Sequence, residues 1–261
     1  MPLVILLLLT LNLYAERIIA LSPAIAEILF AVGRGSEVVG VSDHTVFPKE
    51  AAALPKVGGY FQPNIETMLS LQPTRIIGQS NHTALLQQLQ HLHVTTQKVN
   101  LEHIDSIIET MAQLGHHSAQ AQARIAAIRA TQKRYTDTVS SQRVLIVFGL
   151  VSDLRDPIYV SGPNLFFNEI ITLCGASNAV TATLPKQPVL TYETLIALNP
   201  DTVLILNAHP APDADKALQA WYDVPIAAAK NGRILVLNDD FITIPSHRIA
   251  QSIATICEAL Q

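Results

Sequence analysis

The sequence has few charged residues and lacks the short motifs of several enzyme classes. The first observation argues against a nucleic-acid-binding protein and the second against an enzyme. Lysine and arginine number 17 and aspartate and glutamate 21 in 261 residues, a net charge of −4 at pH 7. No basic run stands out, so we expect no nucleic-acid surface, because such surfaces cluster lysine and arginine against phosphates. The chain contains no G-x-S-x-G, G-x-x-x-x-G-K or H-E-x-x-H motif, which argues against an enzyme.

The apolar run at the N-terminus is also short. It begins at Val4 and extends to Ala15, about a dozen residues, whereas a helix that crosses a bilayer core of about 30 Å needs about 20. We therefore expect a signal peptide over residues 1–15, cleaved after Ala15, and export to the periplasm. A buried first strand or helix is the alternative. No cysteine follows the run, so a lipid anchor is not expected.

Cysteine is scarce as well. Cys174 and Cys257 are the only two, and an exported protein meets an oxidising compartment. Their spacing alone allows either a disulfide between them or two separate buried thiols.

Two segments occur twice, in the same order. Residues 66–73 (ETMLSLQP) match residues 193–200 (ETLIALNP), and residues 26–33 (AEILFAVG) match residues 168–175 (NEIITLCG). The first pair reads as a short helix opened by an acid and ended at a proline, followed by a buried strand. Matched blocks about one domain length apart predict two lobes of similar build, and a cleft between lobes is where small ligands bind.

The order of elements predicts the fold class. Short apolar strands alternate with amphipathic helices on both sides of residues 116–140, which favours α/β lobes with mostly parallel sheets. Residues 116–139 contain no glycine or proline, and predict one helix of about 24 residues, or about 35 Å. We expect an N-terminal lobe at 16–115, a bridging helix at 116–140 and a C-terminal lobe at 141–261. A helical bridge resists bending, so closure on ligand should be small.

Ligands of parallel sheets meet the loops beyond the carboxyl ends of the strands. In this chain those loops are 22–23, 42–44, 79–82, 149–151, 207–209 and 239–248, and we add the aromatic segment 58–62 that precedes the first repeated helix. Aromatic and amide side chains there suit a large planar ligand. Polar residues at strand ends also occur without a ligand.

Histidines recur in these loops, at His44, His82, His209 and His247. They could bind Zn²⁺ together, or one imidazole could bind the metal of a macrocycle. No pair has the spacing of a structural zinc site, so the pattern is a weak sign of a metal ion.

Glu66 and Glu193 open the two repeated helices, one in each lobe. Such a pair cannot form a catalytic carboxylate dyad, but it suits docking onto a pseudo-symmetric partner. Alternatively, each is a first-turn glutamate that the helix dipole stabilises by about 0.3–1 kcal/mol.

The chain resembles a known family over nearly all of its length after residue 15. The resemblance is to the helical-backbone periplasmic binding proteins, which serve ABC importers of cobalamin, ferric siderophores and haem. It is carried, in order, by residues 17–23 (RIIALSP), 27–33 (EILFAVG), 39–42 (VGVS), 55–60 (PKVGGY), 64–66 (NIE), 71–73 (LQP), 159–162 (YVSG), 174–175 (CG), 198–200 (LNP) and 246–248 (SHR).

The resemblance implies a monomer of two lobes with the ligand between them, and a permease dimer that receives Glu66 and Glu193. Within the family the chain is most similar to the cobalamin binders, which implies a disulfide between Cys174 and Cys257. No intrinsic cofactor is implied, and the cargo would be cobalamin or another metal chelate. We expect stacking and polar contacts with the ligand from His44, Tyr60, Phe61, His82, Asp240, Phe241 and Arg248.

The sequence leaves other functions open. Haem or ferric-siderophore capture by the same architecture is the first alternative, although haem binders often place an arginine near the tyrosine that corresponds to Tyr60, and here Phe61-Gln-Pro63 follows it. A Zn²⁺ or Mn²⁺ binding protein and an exported hydrolase are the others.

Overall fold

The computed structural model describes residues 16–180, 187–208 and 214–261. The expected signal peptide at 1–15 and His209 lie outside these residues. Within the described ranges, no helix combines the length and the apolar character that crossing a bilayer requires.

The first lobe, as we call it, is a parallel sheet with helices on both faces. Its elements are β1 (Ile18–Ala20), α1 (Pro23–Ala31), β2 (Val38–Val41), α2 (Lys49–Ala52), α3 (Ile65–Ser70), β3 (Arg75–Gly78), α4 (Thr83–His91), β4 (Thr96–Lys98) and α5 (Ile104–Leu114). The strands pair in the order β2-β1-β3-β4, all parallel. The prediction of alternating strands and helices is confirmed here.

The bridging helix, α6 (Ala119–Tyr135), has 17 residues and is about 26 Å long. The prediction of one helix over 116–140 is therefore wrong at both ends. His116 and His117 have positive φ angles of 48° and 55°, so a right-handed helix cannot include them. The helix starts instead at Ala119, and Ser118 caps it: the Ser118 hydroxyl accepts a hydrogen bond from Ala121 N at 3.3 Å.

The second lobe repeats this plan. Its elements are β5 (Arg143–Phe148), β6 (Ile158–Tyr159), α7 (Phe166–Leu173), β7 (Ser177–Asn178), β8 (Val189–Leu190), α8 (Tyr192–Leu198), β9 (Thr202–Leu206), α9 (Ala214–Tyr222), α10 (Ala227–Lys230), β10 (Ile234–Leu237) and α11 (Ile249–Leu260). Its parallel strands pair as β7-β5-β9-β10, while β6 and β8 form a small antiparallel pair. In both sheets the spatial order is second, first, third and fourth strand along the chain.

The repeated helices α3 and α8 are alike in local detail. Asn64 caps α3 by accepting from Thr67 N at 2.9 Å, and Thr191 caps α8 by accepting from Thr194 N at 3.3 Å. Each helix is ended by a residue in the left-handed region just before a proline, Gln72 (φ 49°) in the first lobe and Asn199 (φ 42°) in the second. The duplication read from the sequence is thus a duplication of structure.

The apolar core does not stop at the boundary between the lobes. One cluster of fully buried side chains joins α1, α5, α6, α7 and α11, through Ile25, Ile107, Ile128, Ile170 and Ile253. Two further clusters cover the outer faces of the sheets, one in each lobe. Helix α6 contacts α5 and α11, and its one buried face, at Ala121, Ile128 and Tyr135, belongs to the shared core.

The two cysteines form the disulfide that the resemblance implied. Cys174, at the end of α7, is bonded to Cys257 of α11. Both residues are buried, and the bond ties two helices of the second lobe across 83 residues of sequence.

Replacing both cysteines, as in Cys174→Ala with Cys257→Ala, should lower the free energy of unfolding by about 2–5 kcal/mol, because the unfolded chain regains the freedom of that loop. Guanidinium titration of the variant beside the unsubstituted protein measures the difference. Equal midpoints would show that the bond does not stabilise the fold.

Candidate ligand-binding cleft

A cleft of about 470 Å³ lies between the lobes. It is lined where strands of both sheets end, by residues that follow β1, β2, β3, β4, β5 and β10: Ser22, Pro23, Ala24, His44, Gln79, Ser80, Asn81, Leu101, Glu102, Phe148, Thr243, Ile244 and Pro245. The structure thus has a cavity where the sequence predicts a ligand cleft, at the carboxyl ends of parallel strands.

The second lobe supplies an aromatic wall. Phe166 and Phe167, at the start of α7, line the cleft, and so does Phe148 at the end of β5. The rings of Phe148 and Phe167 meet edge to face at 5.4 Å, and those of Phe166 and Phe167 lie 4.1 Å apart. Phe166 and Phe167 are buried and belong to the shared core. The sequence analysis did not single them out, since nothing in the local pattern separates them from other apolar residues of a helix.

The first lobe supplies a polar wall around Tyr60. The phenol of Tyr60 lines the cleft and is hydrogen-bonded to Asn81. Burial raises the pKa of Tyr60, the hydrogen bond from Asn81 opposes this, and the negative charge of Glu102 raises it further. Tyr60 is therefore a neutral phenol at physiological pH. Glu102 is another cleft residue that sequence reasoning missed.

His82 supports the Tyr60 loop and does not line the cleft. Its side chain is buried, Nε2 is 2.7 Å from the Tyr60 carbonyl oxygen, and Nδ1 accepts from Gln79 N at 3.0 Å. Burial lowers the pKa of His82, which keeps the ring neutral with Nδ1 as acceptor. Both ring nitrogens are thus used within the protein, where His82 positions the Tyr60 loop, and its contact with a ligand stays a prediction.

The other expected contacts divide between the cleft and its surroundings. His44 lines the cleft. Phe61 lies outside the lining, 83% exposed, with its ring 4.9 Å from that of Tyr60.

Asp240, Phe241 and Arg248 also lie outside the lining. Arg248 is 8% exposed and makes ion pairs with Glu27 and Asp240. Its guanidinium carbon lies 5.6 Å from the centre of the Phe241 ring, which packs against the shared core. Arg248 thus spends its guanidinium on contacts within the protein, whereas Asp240 is 51% exposed, and contact of these three side chains with a ligand stays a prediction.

The three of these loop histidines that the structure describes do not come together. His44 and His82 lie on the first lobe, whereas His247 stacks on Phe47 at 6.4 Å and lines a separate cavity of about 420 Å³. In the part of the chain that the structure describes, no group of three His, Cys, Asp or Glu side chains is placed to hold a metal ion.

Glu66 and Glu193 both occupy exposed positions in the first turns of α3 and α8. The pKa of Glu193 is lowered by a hydrogen bond with its own backbone N–H and then by one with Thr191. Both acids thus stand at equivalent places, one on each lobe, with their side chains accessible from outside.

Comparison with known proteins identifies the family. The model of the periplasmic binding protein family matches residues 18–241.

The chain belongs to the periplasmic binding protein family.

Relatives of this periplasmic binding protein include the vitamin B12-binding protein of Vibrio cholerae, 27% identical over 252 residues, which cover 95% of this chain and 90% of that protein. The crystal structure of the vitamin B12 binding protein BtuF of Vibrio cholerae has a TM-score of 0.80 at 24% identity, over 94% of this chain and 96% of that one.

The heme-binding protein RhuT from Roseiflexus sp. RS-1 has a TM-score of 0.75 at 25% identity, over 94% and 97% of the two chains. These relatives are periplasmic binding proteins and not enzymes, and the two-lobed fold is theirs as well.

The pH dependence of stability should report the environment of His247. Burial first, and then the positive charges of Arg124 and Arg248, lower its pKa to about 4. As pH falls below about 6.5, His247 becomes protonated in the unfolded chain but stays neutral in the folded protein. The free energy of unfolding should therefore decrease between about pH 6.5 and 4.

Proton NMR titration of the imidazole should give a midpoint near 4, and a His247→Gln variant should lose less stability between about pH 7 and 5 than the unsubstituted protein. A midpoint near 6.5 would mean that the ring is solvated.

Proposed function

We propose that this protein is the exported solute-binding subunit of an ABC importer. It captures cobalamin or a related corrinoid between its lobes and delivers it to a permease dimer through Glu66 and Glu193. In this proposal residues 1–15 are the export signal, and the lobes at 16–115 and 141–261 act as a monomer. Determining the N-terminal residue of the exported protein tests the cleavage after Ala15.

The charge of the cleft is the observation that favours cobalamin over haem as the ligand. Among its described lining residues none is lysine or arginine, Glu102 is the one carboxylate, and the other polar groups include the amides Gln79, Asn81 and Gln187. Amides and hydroxyls are suitable partners for the carboxamide arms of a corrinoid, which both donate and accept hydrogen bonds. The helices α1 and α7 also open onto the cleft, and their N-terminal dipoles, about half a charge each, suit a single phosphodiester.

Haem fits this charge pattern less well. Its two carboxylates would enter a cleft whose described lining offers no lysine or arginine. An unpaired buried carboxylate is costly.

Haem is nevertheless the second candidate, because Tyr60 presents a phenol in the cleft and a relative of known structure is a heme-binding protein. Against it, ligation as tyrosinate requires the phenol to ionise, and burial and Glu102 both raise the pKa of Tyr60. A cation beside the phenol would have the opposite effect.

The shape of the cleft suits a flat ligand. Phe148, Phe166 and Phe167 line the cleft from the second lobe, and Tyr60 lines it from the first. Aromatic side chains provide large contact areas with few rotatable bonds, so a rigid macrocycle can be held at low entropic cost. A ligand larger than the cleft would keep one edge in solvent, beside the exposed ring of Phe61.

Calorimetric titration should show binding of cyanocobalamin in preference to haemin and a ferric hydroxamate. Tyr60→Ala should weaken cyanocobalamin binding by about tenfold or more, the cost of a central aromatic contact. The matched control is Tyr159→Ala, which removes a 54% exposed tyrosine of β6 outside the cleft, and should leave the affinity unchanged.

If haemin binds more tightly than cyanocobalamin, and its absorption bands shift in a way that Tyr60→Ala abolishes, the ligand is haem and not cobalamin. Binding of none of the three ligands would reject the proposal.

Delivery should depend on the two acids and not on the cleft. Glu66→Arg and Glu193→Arg each reverse the charge at an exposed helix start, so each should reduce ligand-stimulated ATP hydrolysis by the reconstituted importer while calorimetric affinity stays the same. Glu109→Arg, at an exposed position of α5, is the control for charge reversal. Full stimulation by the double variant would mean that the permease binds another surface.

A further inference from the structure

The duplicated helices α1 and α7 carry acids at matching positions, and both acids reach into the opposite lobe. Glu27 is the second residue of the repeated segment at 26–33, and Glu169 is the second residue of its partner at 168–175. The family docking acids on α3 and α8 are a different pair. Neither Glu27 nor Glu169 lines the cleft.

Glu27 binds the segment that precedes α11. One carboxylate oxygen accepts from Ser246 Oγ at 2.5 Å and from Arg248 Nε at 3.0 Å, and the other accepts from Arg248 Nη2 at 2.5 Å. Glu27 is 2% and Arg248 8% exposed. Ser246 directly follows Thr243–Pro245, the stretch of the second lobe that lines the cleft.

Glu169 makes the matching contact in the other direction. Its carboxylate accepts from His103 Nδ1 at 2.6 Å and from Ile104 N, at the start of α5, at 2.9 Å. His103 directly follows Leu101 and Glu102, which line the cleft from the first lobe. The strands and helices involved are equivalent: β4 and α5 in one lobe correspond to β10 and α11 in the other.

We propose that Glu27 and Glu169 are positioning residues that set the width of the cleft. Each holds, across the lobe boundary, the lining segment of the opposite lobe, and together they form a pseudo-symmetric pair of cross-lobe ties. The inference rests on the proposed function only in taking this cleft as the place where ligand binds.

The two ties differ in strength. The Glu27 tie is buried and pairs with a guanidinium through two nitrogens, and removing one partner leaves a buried charge uncompensated. The Glu169 tie joins side chains that are 36% and 48% exposed, where water competes for the contact. The cleft should therefore pivot about the Glu27 side and open on the Glu169 side.

Distances between spin labels measure this directly. Labels at Ser70→Cys and Ala197→Cys, exposed positions on α3 and α8, report the separation of the lobes, and the protein's own two cysteines are bonded to each other. Glu27→Gln and Glu169→Gln keep the side-chain shape and remove the charge. Asp153→Asn, which breaks the exposed pair with Arg155 inside the second lobe, is the matched control.

Both glutamine variants should broaden the distribution of distances in the ligand-free protein, Glu27→Gln more than Glu169→Gln, and Asp153→Asn should leave it unchanged. The broader cleft should weaken cyanocobalamin binding, by about tenfold for Glu27→Gln, a change of about 1.4 kcal/mol. A general loss of stability would not broaden the distances at temperatures where the protein stays folded.

Unchanged distances in both variants would overturn the proposal. If Glu27→Gln does not fold, the proposal is tested with Glu169→Gln alone, at a partly exposed position. An unchanged width of its distance distribution would then refute the proposal. The ligand-free distances test the ties even when cyanocobalamin does not bind the unsubstituted protein, whereas that lack of binding would reject only the proposed function.

Discussion

The structure depends on one apolar core that continues through both lobes. Residues of α1 and α5 from the first lobe, α6 between them and α7 and α11 from the second pack in a single buried cluster. Helix α6 contributes buried residues seven positions apart, at Ala121, Ile128 and Tyr135, so one face of the helix lies in that core along its length. A packed interior does not deform continuously, so the shared core limits how far the two sheets can move relative to each other.

The arrangement of the two sheets determines which side chains line the cleft. Parallel strands of both sheets end at the same opening, and the duplication brings equivalent segments to face each other, 101–102 from one lobe and 243–245 from the other. Because the copies have diverged, one wall is aromatic and the other polar, which suits a ligand with a flat ring and hydrogen-bonding arms. The buried ion pair of Glu27 with Arg248 links the wall segment of the second lobe to a helix of the first. Shape is thus fixed by the shared core and by contacts that cross it.

Local patterns in the sequence predicted the elements, the duplication and the position of the cleft, because caps, prolines and apolar spacing act over a few residues. Apart from the disulfide, which the resemblance implied, contacts between distant residues could not be predicted. Arg248 read as a ligand contact, but its partner Glu27 is 221 positions away and only the fold brings the two together. Phe166 and Phe167 were not singled out, because the apolar pattern of a helix does not show that the first turn of α7 opens onto the cleft. The start expected for α6 was too early because His116 and His117 adopt left-handed backbone angles, which amino-acid composition does not reveal.

Small-angle X-ray scattering of the ligand-free protein and of the protein saturated with cyanocobalamin tests most directly whether the shared core fixes the lobes. If the core continues through both lobes in solution, the radius of gyration and the distance distribution should be nearly the same in the two samples. A large compaction on adding the ligand, like that of binding proteins whose lobes close about a flexible hinge, would contradict the account.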